Sequence, residues 1–140
     1  YTTMLDFSGL NYWAIAVAWI VYCAVGSFWY SPAGFGKKWS KLSGVDIMKL
    51  PQQEANKAIM YVVASSLLQA FTLAVVLNTM NIEGVVNGLV AGFFVALGLT
   101  CATTIGVTFY SRKSWAFWFL NAAFFLVTTP INAAILASWM

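Results

Sequence analysis

Between Glu83 and Arg112 the chain carries no charged residue, and small side chains recur there at every fourth position: Gly84, Gly88, Gly92, Ala96, Thr100, Thr104 and Thr108. On a helix, residues four apart stack along one slowly drifting stripe. The stretch therefore predicts a helix over residues 84–110, with a groove along it in which a second helix lies backbone to backbone. Gly-x-x-x-Gly spacing in an apolar segment of this length is the packing pattern of membrane helices, where close backbone approach replaces the hydrophobic drive available in water. This helix is expected at the centre of a membrane bundle.

Composition points the same way. Of 140 residues, 61% are hydrophobic and 8% charged, against about 25% charged in a soluble domain. Four apolar spans, at about 12–30, 58–80, 84–110 and 115–139, account for most of the chain. At about 1.5 Å per residue each crosses a hydrocarbon core of about 30 Å. The expected fold is an all-α, polytopic membrane protein. It is a single integral membrane domain over residues 1–140, a bundle of four transmembrane helices with a short basic interfacial segment, 33–57, between the first two.

Paired aromatics, Tyr12-Trp13 and Trp29-Tyr30, mark the two ends of the first span as interfacial belts, and Ser31-Pro32 stops it. The next segment carries Lys37, Lys38, Lys41, Lys49 and Lys57. If residues 35–42 coil, Phe35, Trp39 and Leu42 share one face and Lys37, Lys38 and Lys41 the other, which predicts a short helix lying on the headgroups. The competing reading is an ordinary basic loop. Pro51 is expected at the first position of the second helix, with Glu54 near its positive end. The short connection Asn81–Glu83 predicts a tight antiparallel hairpin of spans two and three. Pro130, after Thr128-Thr129, frees the carbonyl of Leu126 and predicts a kink in the fourth span.

All seven Lys and Arg residues lie in the loops after spans one and three. The positive-inside rule then puts loops 33–57 and 111–114 in the cytoplasm and both termini outside. Residues 1–10 hold Asp6 and no Lys or Arg, so the basic start of a secretory signal is not expected there.

Several chemistries are disfavoured. The chain has no histidine, and Cys23 and Cys101 sit singly inside apolar spans, where they are expected to pack as small hydrophobes. No metal site and no cofactor are therefore expected. No charged side chain lies within a span, which removes the groups that proton-coupled carriers use at depth, and no base is placed to activate a serine. An enzyme is not expected. The net charge of +3 does not indicate nucleic acid, because the basic residues flank apolar spans instead of lining a soluble face. What remains at depth is neutral: Gln69, Thr100 and Thr128 fall at comparable distances from the basic side and are expected to form a buried polar cluster. The cluster reads either as helix-to-helix hydrogen bonds, each worth about 0.6 kcal/mol in a membrane, or as a path for a small neutral solute.

Asn11-Tyr12-Trp13-Ala14 opens span one and Trp29-Tyr30-Ser31-Pro32 closes it, followed by Phe35-Gly36-Lys37 and Trp39. Gly92-Phe93 lies in span three, and Leu120-Asn121-Ala122 and Ala134-Ile135-Leu136 in span four. With these residues, nearly the whole chain resembles the domain of unknown function 1761 family. The resemblance implies a small four-span integral membrane protein and no reaction. The positions matching the family's motif are Tyr30, Ser31, Pro32, Gly36, Lys37, Trp39 and Asn121, and any functional patch it implies lies at or near the cytoplasmic interface. Such a patch suits an anionic lipid headgroup, an acidic partner loop or simple anchoring.

The chain thus reads as a non-catalytic membrane protein in contact with lipids. It is expected to act by helix association, as a homo-oligomer or an accessory subunit of a larger membrane complex. The alternative is a passive pore or facilitator for a small neutral solute.

Overall fold

The computed structural model describes residues 4–46 and 49–139. Residues 1–3 and 140 of the expected single domain, and residues 47–48 of its basic segment, lie outside the described residues. The elements are α1 (Tyr12–Trp29), α2 (Gly36–Ser43), α3 (Gln52–Thr79), α4 (Val85–Val95), a π-helical turn (Ala96–Cys101), α5 (Ala102–Tyr110) and α6 (Trp115–Trp139). α4, the π turn and α5 run on as one span, Val85–Tyr110, so four helices are long and apolar enough to cross a membrane.

Local chemistry sets the helix ends. Asn11 caps α1, its side-chain oxygen accepting from the amides of Trp13 at 3.1 Å and Ala14 at 3.3 Å, which satisfies donors that the first turn leaves open. Pro51 stands one residue earlier than expected, at the N-cap of α3 with an extended ψ of 142°. Gly84 precedes α4 with φ +91°, a conformation that glycine adopts without strain.

The centre of the bundle is α6, not the third span. In the most apolar window of α6, 56% of residues are buried, against 17%, 28% and 22% in α1, α3 and the third span. The reason lies in its side chains. Thr128, Thr129, Asn132, Ala133 and Ala137 are buried and compact, so other helices approach α6 from more than one side. The third span packs by one edge and leaves Val86, Phe94 and Leu99 exposed. On one side, α1, α3 and α6 close a core that includes Ala14, Ala18, Ala70, Ala74 and Leu136. On another, α4 lies along α6 and makes no comparable contact with α1 or α3.

The connection between α3 and α4 is short, but the two helices do not form the tight hairpin expected from it. The Gly84 amide donates to the Ala137 carbonyl at 3.1 Å, and this draws the start of α4 over to the end of α6.

The two ends of the bundle differ. At one, the Asn11 side-chain amide donates to the Trp139 carbonyl at 2.8 Å. The Asn78 side chain holds the carbonyls of Asp6 at 3.0 Å and Ser8 at 2.8 Å, and the Asp6 amide donates to Thr79 Oγ1 at 2.8 Å. The segment before α1, the 80–84 turn and the end of α6 therefore gather together. At the opposite end the Lys113 ammonium donates to the Ser43 carbonyl, which joins the two basic loops.

Candidate functional site

The basic end is organised by the turn between α1 and α2. Past Tyr30 the chain doubles back: the Phe35 amide donates to the Trp29 carbonyl at 2.6 Å, and the amides of Gly34 and Gly36 both donate to the Ser31 carbonyl at 3.0 Å. Ser31 Oγ adds a bond to the Phe28 carbonyl at 2.6 Å. Only glycine fits the two crossings. A Cβ at Gly34 would lie 2.3 Å from the Phe28 carbonyl oxygen, and one at Gly36 would lie 2.3 Å from that of Tyr30.

This turn brings α2 back against the ends of α1 and α6. Trp39 meets Tyr30 edge-on at 6.3 Å and Phe117 at 6.0 Å, while Phe35 packs on Trp29 at 4.8 Å. Such aromatic contacts contribute about 0.5–1.5 kcal/mol each beyond the area they bury. The Tyr30 hydroxyl donates to Asn121 Oδ1 at 2.8 Å, and Asn121 Nδ2 donates to the Phe117 carbonyl at 3.2 Å. Lys113 completes the arrangement, its cation sitting on a carbonyl at the negative end of α2. Of the motif positions, Tyr30, Trp39 and Asn121 form one contact group, and Ser31, Pro32 and Gly36 build the turn beside it. Lys37 is exposed. With Gly36, Ser40, Lys41, Gly44 and Asp46 it lines an open groove of about 410 Å³.

A family model for proteins of unknown function, DUF1761, matches residues 13–137. The chain belongs to the DUF1761 family. No curated protein and no solved structure matches it.

In this DUF1761 protein the small-residue stripe of the third span divides in two. A Cβ at Gly88 would lie 2.6 Å from the Ala133 carbonyl oxygen, and one at Gly92 would lie 2.6 Å from Pro130 Cα. Here α4 and α6 meet backbone to backbone. Gly84 lies before the helix, Ala96 is fully buried, and Thr100 and Thr104 are half-buried. At 3.6 residues per turn each four-residue step drifts by about 40°, so five steps from Gly88 to Thr108 amount to about 200°. The π turn counters this drift, because one extra residue in the ladder takes back about 100°. Burial accordingly passes from Ala96 to Cys101, five residues on, and reaches Thr108.

The neutral polar residues expected at depth in this DUF1761 member lie on three different spans. Gln69 is half-buried on α3, Thr100 lies in the π turn, and Thr128 donates back to the Phe124 carbonyl of its own helix at 2.9 Å. No hydrogen bond among the described residues joins the three. Sequence reasoning missed Asn132, which is 1% exposed inside α6. An amide this deep in an apolar span was the available signal.

Cys101 Sγ lies 3.5 Å from the Ala122 carbonyl, Cys23 Sγ lies 3.7 Å from Ser66 Oγ, and both thiols are free. Among the described residues no three of His, Cys, Asp and Glu come together. Outside the spans, the Ser8 hydroxyl and then the Ser8 amide, at 2.5 and 2.9 Å, hold the Asp6 carboxyl below its ordinary range.

Proposed function

We propose that this DUF1761 protein works without catalysis, by helix association in the membrane, and that the helix it binds is the third span of a second copy. One observation carries the reading. Gly88 and Gly92 are covered by α6, whereas Gly98, Ala102 and Gly106 lie exposed at four-residue spacing, and an added Cβ at either glycine would meet nothing within 4 Å. Open glycine and alanine at this spacing allow a helix backbone to approach as closely as α6 approaches Gly92. A twofold axis lays the same stripe of two copies against each other, so the surface is its own complement. The groove also fits a helix of another subunit, which would make the protein an accessory component of a larger assembly. In either arrangement the positive-inside rule supports loops 33–57 and 111–114 facing the cytoplasm and both ends of the chain facing out.

Native mass determination in mild detergent tests the proposal. The intact protein is expected as a multiple of its own mass. Gly98→Ile together with Gly106→Ile is expected to reduce it to a single chain with unchanged protomer unfolding. A wild-type mass of one chain, or a variant that assembles as before, overturns self-association through this face. A mixed mass identifies a foreign subunit.

A further inference from the structure

We propose that Thr129 and Asn132 together hold one small, neutral, hydroxyl-bearing molecule, of which water is the smallest, inside the membrane core of the bundle. Asn132 is 1% and Thr129 2% exposed, and neither Asn132 Oδ1 nor Thr129 Oγ1 has a hydrogen-bonding partner among the described residues. In the hydrocarbon layer bulk water does not supply the missing bond, so an unpaired polar atom there is strongly disfavoured.

The two atoms are chemically complementary. Thr129 offers a hydroxyl donor and Asn132 an amide acceptor, and at a separation of three residues they share a face of α6. They do not reach each other. Thr129 also forgoes the usual escape: the other buried threonines, Thr108 and Thr128, donate to the carbonyls of Thr104 at 2.7 Å and Phe124 at 2.9 Å, but Thr129 makes no such bond to its own helix. The molecule that satisfies both must accept from one group and donate to the other, which is what a hydroxyl does. In the same turn Pro130 has no amide hydrogen to give to the Leu126 carbonyl.

Leu136, one turn on from Asn132, belongs to the core shared with Ala14 and Ala18 of α1 and Ala70 and Ala74 of α3. Polar atoms buried in a protein interior without a protein partner are ordinarily bridged by an internal water.

Solid-state NMR on the wild-type protein in lipid bilayers tests this, by magnetisation transfer from water protons to side chains. Transfer is expected to Asn132 and Thr129 and not to Leu136 or Ala74, and to vanish in Thr129→Val with Asn132→Leu. A parallel sample with protonated glycerol in deuterated water separates the sources: transfer only in the first identifies water, and transfer in the second identifies a polyol. If both side chains are as dry as Leu136 in both samples, the proposal fails. A Thr129 hydroxyl found bonded to the Phe125 carbonyl also defeats it. Because the decisive measurement uses the unaltered chain, the outcome does not depend on whether the double variant folds.

Discussion

The hydroxyl of Tyr30 reaches Asn121 Oδ1 at 2.8 Å across 91 positions of sequence, and so ties the end of the first membrane helix to the helix that every other one leans on. Tyr30 also touches Trp39 and Phe124. One side chain therefore links α1, the surface helix α2 and α6.

Tyr30→Phe removes the donor and leaves the Asn121 oxygen unpaired, at an expected cost of about 1 kcal/mol. Asn121→Leu in the Tyr30→Phe background is expected to cost less than it does alone, since nothing is then left unpaired. A double-mutant cycle read by denaturant titration in detergent checks the coupling. Strictly additive losses would show that the pair is not an energetic unit.

Gly92 and Gly106 should respond to alanine with opposite signs. A methyl group at Gly92 would press on Pro130 Cα at 2.6 Å, so separating α4 from α6 is expected to destabilise the protomer by about 1–3 kcal/mol. At Gly106 a Cβ meets nothing, and the gain in helix propensity is expected to stabilise the dissociated protomer by about 0.5–1 kcal/mol. Thermal unfolding of the two variants gives the comparison directly.

Lys113→Ala removes the cation from the negative end of α2. Losing about 0.3–1 kcal/mol of capping is expected to open α2 more often. Trypsin cleavage at Lys37, Lys38 and Lys41 should accelerate by about twofold to fivefold, and an unchanged rate would show that aromatic packing alone holds the helix.

Acid should loosen the segment before α1. The Asp6 carboxyl titrates below its ordinary range while the Ser8 bonds are made, and at about 3.9 once the segment is released. Its contribution is therefore present above about pH 3.9 and lost as the pH falls through the folded value. The Asn78 side-chain amide resonances, which report the bonds to the carbonyls of Asp6 and Ser8, are expected to shift with acid in the wild type. In Asp6→Asn, which keeps an acceptor without the titration, they should stay flat.

Sidedness can be read with thiols. In a background without Cys23 and Cys101, Lys38→Cys and Glu83→Cys are expected to react with an impermeant maleimide from opposite faces of sealed vesicles. Labelling of both from one face would refute the four-span orientation.

The spans, their aromatic ends and the basic end were legible because each is a local property of composition over about 20 residues. The short helix was legible as well, since Phe35, Trp39 and Leu42 recur at helical spacing. The pairing of Tyr30 with Asn121 was not, although both were singled out, because nothing in one sequence records which distant positions meet. The centrality of α6 was missed for a different reason. Glycines at 88 and 92 advertise close packing but do not say which partner is surrounded, whereas Thr129, Asn132 and Ala133 mark the helix with several buried faces. The π turn left no sign at all: Leu97-Gly98-Leu99 reads as ordinary helix.

That wide turn makes the third span sensitive to length in a way that composition is not. Removing one amino acid from 96–101 would restore a regular ladder and swing the whole of α5 by about 100° about its axis. Gly106 would then leave the exposed face it now shares with Gly98 and Ala102, and Thr108 would leave its buried place. A family member lacking that single residue would show the surrounding lipid a different side of the same helix.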